Sequence, residues 1–188
     1  MTKALVQSTT VKTNPQQGSV CQVNVAAVKF STLWDAYPSS DPCDAKDKDG
    51  SKLFSNQCAI RVSYALKRSG VTFKSYPAKR KCWVHPGDDH CLAAKELADW
   101  LELQPFVGCK KAETIRGENW RGKVIDRTGI LCFEDYYTDP NAGGDHIDLW
   151  NGSRMTSMLS WFRTRFNIVG PSWSDLRKAK KIRFFPIP

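Results

Sequence analysis

The clearest rhythm of apolar positions runs between residues 57 and 69. Ala59, Val62 and Leu66 fall on one helical face, and Ala65 widens it. That spacing predicts an amphipathic helix over 57–69. Asn56 stands where an N-cap belongs, and Ser69-Gly70 supplies a stop. Leu92 to Leu101 repeats the pattern. Phe30 to Tyr37 predicts a short helix halted by Pro38, and Thr156 to Phe166 predicts another, with Leu159, Trp161 and Phe162 apolar. Gly129-Ile-Leu-Cys-Phe133 reads as a buried strand, His146-Ile-Asp-Leu-Trp150 alternates as a strand should, and Ile182-Arg-Phe-Phe185 is the last. Helices come early and strands late, which favours an α+β fold with helices packed on an antiparallel sheet. Residues 1–27 are polar and aperiodic and read as an extended or loosely ordered arm, leaving 28–188 as one domain. Residues 38–52 read as loop, and Asp47-Lys-Asp-Gly50 within it as a solvated turn. Asn151-Gly152 is a two-residue hairpin signal. Folding the chain about it sets Ser157 across from His146.

A chain of 188 residues is long enough for one domain with a real core. No apolar run approaches the ~20 residues that span a bilayer, and the stretch from Met1 to Thr10 has no apolar signal-peptide region. The formal net charge is +9. That suits a polyanionic partner: nucleic acid, an anionic membrane or an anionic wall polymer. The basic residues are scattered, however, apart from Lys79-Arg-Lys81 and Arg177-Lys-Ala-Lys-Lys181. The seven cysteines change the picture more. Six could pair in disulfides and leave one reactive thiol, which implies an oxidising compartment. Without a signal peptide, either the thiols stay reduced or the protein leaves by a signal-independent route.

The thiol to single out is Cys58, at the start of the best helix. A helix amino end favours an anion, and the thiolate is the nucleophilic form of cysteine. A distant imidazole on a strand, His146, supplies a base. Asp148 lies two residues on, on the same strand face, and is the nearer carboxylate by sequence for orienting the ring. No phosphate loop, Gly-x-Ser-x-Gly elbow or His-Glu-x-x-His motif is present, which leaves the thiol as the obvious nucleophile. The hydrolase reading assigns no metal and no cofactor. A competing constellation is Cys82-Trp-Val-His85-Pro-Gly-Asp-Asp-His90-Cys91, four residues of zinc-ligand type. With the positive charge it would suggest a zinc-dependent nucleic-acid-binding module. Adjacent His90 and Cys91 cannot easily aim at one ion, so a Cys82–Cys91 disulfide or simple thiols is the plainer reading.

Three blocks together carry a family resemblance: Phe30-Ser-Thr-Leu-Trp34, Ser55-Asn-Gln-Cys-Ala-Ile-Arg-Val-Ser-Tyr-Ala-Leu66 and His146-Ile-Asp-Leu-Trp-Asn-Gly152. From about residue 28 to the end, closing on Trp173-Ser-Asp-Leu and Lys-Lys-Ile-Arg-Phe-Phe185, the chain resembles the type VI secretion amidase effectors of the fourth family. The resemblance implies a papain-like, NlpC-type fold. It implies cleavage of the peptidoglycan stem peptide between D-glutamate and meso-diaminopimelate. It also implies synthesis in the cytoplasm, delivery by a contractile secretion machine into a target cell's periplasm, and a cognate immunity protein that blocks the cleft. Neither membrane insertion nor nucleic-acid binding is expected of such a protein. Carried onto this sequence, Cys58 is the nucleophile and His146 the base. The family places a catalytic aspartate about eleven positions after the histidine, where this chain has Ser157. Asp148, Ser157 or a bare dyad therefore remain open for the orienting role. Another cysteine hydrolase on the same scaffold, such as a protease or a transglutaminase-like enzyme, is the nearest rival.

Overall fold

The computed structural model describes residues 6–12, 20–77, 80–85, 90–116, 119–136, 144–156, 176 and 179–188. Six strands and four helices appear among them, in the order β1 (Val6–Lys12), β2 (Val20–Ala26), α1 (Phe30–Asp35), α2 (Cys58–Arg68), α3 (Ala94–Glu102), β3 (Glu113–Ile115), α4 (Trp120–Val124), β4 (Gly129–Glu134), β5 (His146–Trp150) and β6 (Lys181–Pro186). The main sheet is antiparallel with strand order β3-β6-β4-β5. This is the α+β arrangement the sequence predicts.

The period-two alternation of strand side chains feeds two separate cores. On one face Ile130 and Cys132 of β4, Ile147 and Leu149 of β5 and Phe185 of β6 meet the apolar stripes of the first three helices, including Leu33, Val62, Leu66, Leu97 and Leu101. On the other face Leu131, Phe133, Trp150, Ile182 and Phe184 meet Trp120 and Val124 of α4. A sheet covered on both sides explains why β4 is buried at all six positions. It also explains why its sequence runs apolar without a break. Burying each large side chain contributes roughly 1.5–3 kcal/mol. Gly129 is required here, since a Cβ would sit 2.2 Å from the Phe185 carbonyl oxygen.

Helix α2 ends as its sequence predicts. Gly70 takes a positive φ of 87°. Its N–H donates to the Lys67 carbonyl, and the N–H of Val71 donates to that of Leu66. Those two bonds are the Schellman pattern, and Leu66 and Val71 share the helix-side core. The last residues of five predicted elements move by one or two positions. Two elements had no apolar rhythm long enough to find, β3 at three residues and α4 at five. The segment read as an arm holds the β1–β2 pair, which is antiparallel with Val6 opposite Ala26.

One turn differs from expectation. The hairpin after β5 is not closed by two residues. Trp150 bridges to Met155, so Asn151 to Arg154 form a four-residue turn. The Asn151 side-chain oxygen accepts from the N–H groups of Ser153 and Arg154. Asn151 thus caps a longer loop, Gly152 takes its positive φ of 93°, and the register shifts by two residues from the one that set Ser157 across from His146. Ser157 and the helix predicted over 156–166 lie, beyond Thr156, outside the described residues. Asp47 makes the solvated turn read from the sequence, accepting from the N–H groups of Asp49 and Ser51.

Candidate active site

Helix α2 packs against β5, which brings the first residue of one to the first residue of the other. Ala59, Ile60 and Val62 are buried and hold the start of the helix, while Cys58 itself stays partly exposed. The N-cap is Gln57 rather than Asn56, and Gln57 makes no cap bond with its side chain. Asn56 acts from one residue further out, accepting from the Cys58 N–H at 3.3 Å. The Gln57 amide instead donates to the carbonyl oxygens of Cys43 and Phe54, both at 2.7 Å. The residue before the thiol is therefore tied down from two sides.

His146 is 17% exposed, and its Nε2 lies 3.8 Å from a carboxylate oxygen of Asp148. The ring also hydrogen-bonds to Cys58. Burial disfavours the charged ring, but the hydrogen bonds to Asp148 and Cys58 and the negative charges they carry outweigh it. Together they push the His146 pKa up to about 10. Asp148 is buried at 1% exposure. Its Oδ1 accepts from the Leu149 N–H at 2.8 Å and from the Thr156 hydroxyl. A thiol, an imidazole and a fixed carboxylate in that order have the chemistry to serve as a nucleophile, a base and the group that orients the base.

All three residues singled out in the sequence thus come together. Two more were missed. Tyr37, just past the end of α1, hydrogen-bonds to Thr156, and its hydroxyl is held well above the usual phenol range by burial and by the charge of Asp148. Thr156 bridges Tyr37 and Asp148. Neither carries a spacing signal, because the register that places Thr156 depends on the four-residue turn.

Of the readings of the 82–91 segment, simple thiols hold for Cys82 and Cys91, and the metal-ligand set is a different one from the four residues of the motif. Cys91 packs in the helix-side core, while Cys82 points into a small separate cluster with Cys43, Phe54 and Ile60. Adjacent His90 and Cys91 do face apart, which separates Cys82 from Cys91. Cys82, His85 and His90 converge instead with Cys43, and the four donor atoms lie within 4.8 Å of one another. Among the described residues this is the set that could hold a metal ion.

Residues 54–185 match the family described as type VI secretion system (T6SS), amidase effector protein 4. No curated protein matches the chain. Among solved structures, the Tae4/Tai4 effector–immunity system of Salmonella typhimurium is similar at 20% identity, with a TM-score of 0.54, over 85% of this chain and 98% of that one. Tae4 of Enterobacter cloacae is similar at 15% identity, with a TM-score of 0.54, over 85% and 96%. At these identities the likeness establishes the fold. The matched segment spans most of the chain, including the Cys58 helix and the His146 strand: the protein belongs to the type VI secretion amidase effector 4 family, the peptidoglycan-degrading antibacterial toxins.

Proposed function

We propose that the protein is a cysteine amidase that cleaves the peptidoglycan stem peptide at the D-glutamyl–meso-diaminopimelate bond, with Cys58 as nucleophile and His146 as acid–base. The observation that carries this is the placement of the His146 ring between Cys58 and the buried Asp148 carboxylate. The Cys58 sulfur attacks the amide carbonyl carbon after its proton has passed to His146. The imidazolium then protonates the leaving amine as the C–N bond breaks, and a thioester remains. Water, deprotonated by His146, attacks the thioester and releases the carboxylic acid, and the proton returns to the sulfur. Asp148 faces Nε2 at 3.8 Å and favours the charged ring that each step passes through. Backbone N–H groups at the start of α2 stabilise the oxyanion. The N–H of Cys58, held by Asn56 at a long 3.3 Å, is readily given up to a stronger acceptor.

Family membership supports delivery by the secretion machine and action in the periplasm of a target bacterium. The Tae4/Tai4 complexes among its structural relatives support a cognate immunity protein for this chain too. A basic protein suits an anionic wall.

Purified sacculi incubated with wild type and with Cys58→Ala, with muropeptides separated and weighed, test the reading. New fragments from wild type alone, with masses placing the cut between D-glutamate and diaminopimelate, are expected. Cleavage by Cys58→Ala would remove the cysteine mechanism. Cleavage at another stem bond would correct the specificity.

A further inference from the structure

The cluster behind the nucleophile helix has no part in that chemistry. Cys43 Sγ lies 2.8 Å from Cys82 Sγ, 3.4 Å from His85 Nδ1 and 3.1 Å from His90 Nδ1. Cys82 Sγ lies 3.6 Å from His85 Nδ1. Cys43, Cys82 and His90 are buried, and His85 is partly so. Two thiols and two imidazoles from three stretches of chain thus turn their donor atoms toward one point. Zn–S bonds of about 2.3 Å and Zn–N bonds of about 2.0–2.1 Å in a tetrahedron put neighbouring donors about 3.3–3.8 Å apart. The three sulfur–nitrogen separations lie within about 0.5 Å of that geometry, and the two sulfurs reach it by opening about 1 Å. The spacing fits as well, with Cys82-x-x-His85 on one turn and His90 five residues on.

The surroundings explain why such a site belongs here. Among the described residues its apolar cluster holds four buried members, Cys43, Phe54, Ile60 and Cys82, with Val84 and Leu92 packed against it. The loop carrying Cys43 is closed by one isolated bridge, Lys46 to Lys52, and the segment carrying the other three donors by another, Lys81 to Cys91. Backbone bonds such as Leu53 N–H to the Ala45 carbonyl, and Cys82 N–H to the His90 carbonyl, order each stretch separately, whereas a structural metal joins the two directly. We infer that Cys43, Cys82, His85 and His90 form a closed Cys2His2 site that holds a structural zinc ion and clamps the 38–53 loop to the 80–92 segment behind the start of α2. Four protein ligands leave no open position, so the ion takes no part in hydrolysis. Cys43 lies outside the matched family segment 54–185, so the site is argued for this chain alone. Ile60 of α2 lines the cluster, and Gln57 reaches the Cys43 carbonyl. The clamp therefore bears on the residue preceding Cys58.

The test uses the full chain, purified under reducing conditions without chelator from zinc-supplemented cells. Elemental analysis should give one equivalent of zinc per chain in wild type and in Cys58→Ala, and a strong loss in Cys43→Ser and in His90→Ala. Cobalt added to metal-stripped wild type should give the intense visible bands of a tetrahedral thiolate site. A chelator should lower the melting temperature of wild type by several degrees, with full recovery on adding zinc. Substoichiometric zinc together with no cobalt spectrum overturns the proposal. So does a Cys43–Cys82 disulfide peptide recovered from protein that was never exposed to oxidant. If Cys43→Ser fails to fold, the cobalt spectrum and zinc count of wild type decide alone.

Discussion

Gln57, the residue before Cys58, donates its side-chain amide to the backbone carbonyl of Cys43 at 2.7 Å. The same amide group bonds the Phe54 carbonyl, so one buried side chain fastens the 43–54 loop to the start of α2. Gln57→Ala leaves two carbonyls without this donor. Each such bond contributes about 1 kcal/mol, so unfolding in urea should show a loss of about 1–3 kcal/mol. Turnover should fall while Cys58 remains present, because the thiol is then aimed by a looser helix start. Unchanged stability and unchanged turnover would mean that the apolar contacts of Ala59, Ile60 and Val62 alone set the geometry.

In the proposed mechanism Asp148 is the orienting group, because it is buried, it faces His146, and its other oxygen is occupied by Leu149 and Thr156. Asp148→Asn preserves the shape and removes the charge. The rate of sacculus cleavage should drop by on the order of 10²–10⁴-fold. Thr156→Val should give a smaller loss, since it frees the carboxylate without removing it. Asp148→Asn activity within a factor of two of wild type would remove Asp148 from the orienting role and leave Ser157 or a bare Cys58–His146 dyad.

Much of this site is readable from the sequence because its residues sit at the ends of strongly patterned elements. Cys58 opens the clearest amphipathic helix, and His146 and Asp148 lie on an alternating strand whose two faces are both buried. What escapes the sequence depends on long-range register. Tyr37 and Thr156 meet only because the loop after β5 has four residues, and Asn151-Gly152 reads equally well as a shorter turn. Cys43 joins the Cys82, His85 and His90 group from 39 residues away, and no local spacing announces it. Strand β3 and helix α4 are too short to show a period, and packing against β6 and the second core decides them.

The His146 ring also predicts a pH dependence of stability. Its pKa in the folded protein is raised to about 10, against about 6.5 in an unfolded chain. The contribution is therefore fully present below pH ~6.5 and is lost as pH rises from there toward about 10. Melting temperatures of wild type and His146→Gln measured between pH 6 and 10 should converge at the alkaline end. His85 and His90 are common to both proteins and cancel in the difference. Cys58→Ala removes one of the contacts that raise the pKa and should move the upper edge of the window downward. Parallel melting curves for wild type and His146→Gln would show that the ring gains nothing on protonation.

Arg183 provides a test of the scaffold away from the chemistry. It is buried at 1% exposure within β6. Its Nε lies 2.5 Å from Glu134, and its Nη1 lies 2.8 Å from Asp99 and 3.1 Å from Glu102. The guanidinium thus joins β6 to β4 and to helix α3. Burial works against its charge, and the surrounding carboxylates hold it charged nonetheless. Arg183→Met keeps most of the volume but leaves Glu134, itself only 6% exposed, with Lys95 at 3.8 Å as its remaining ion-pair partner among the described residues. Breaking a buried pair from one side costs about 3–5 kcal/mol, which for a chain of this size lowers the melting temperature by on the order of 10 °C. Replacing both members, Arg183→Met with Glu134→Leu, removes the stranded charge and should restore much of the loss, because an apolar pair of similar volume is often as stable as the ion pair it replaces. Denaturant unfolding of the two single variants and the double variant reads the coupling directly. A double variant as unstable as the sum of the singles would place the stabilisation in packing of the arginine stem rather than in the ion pair.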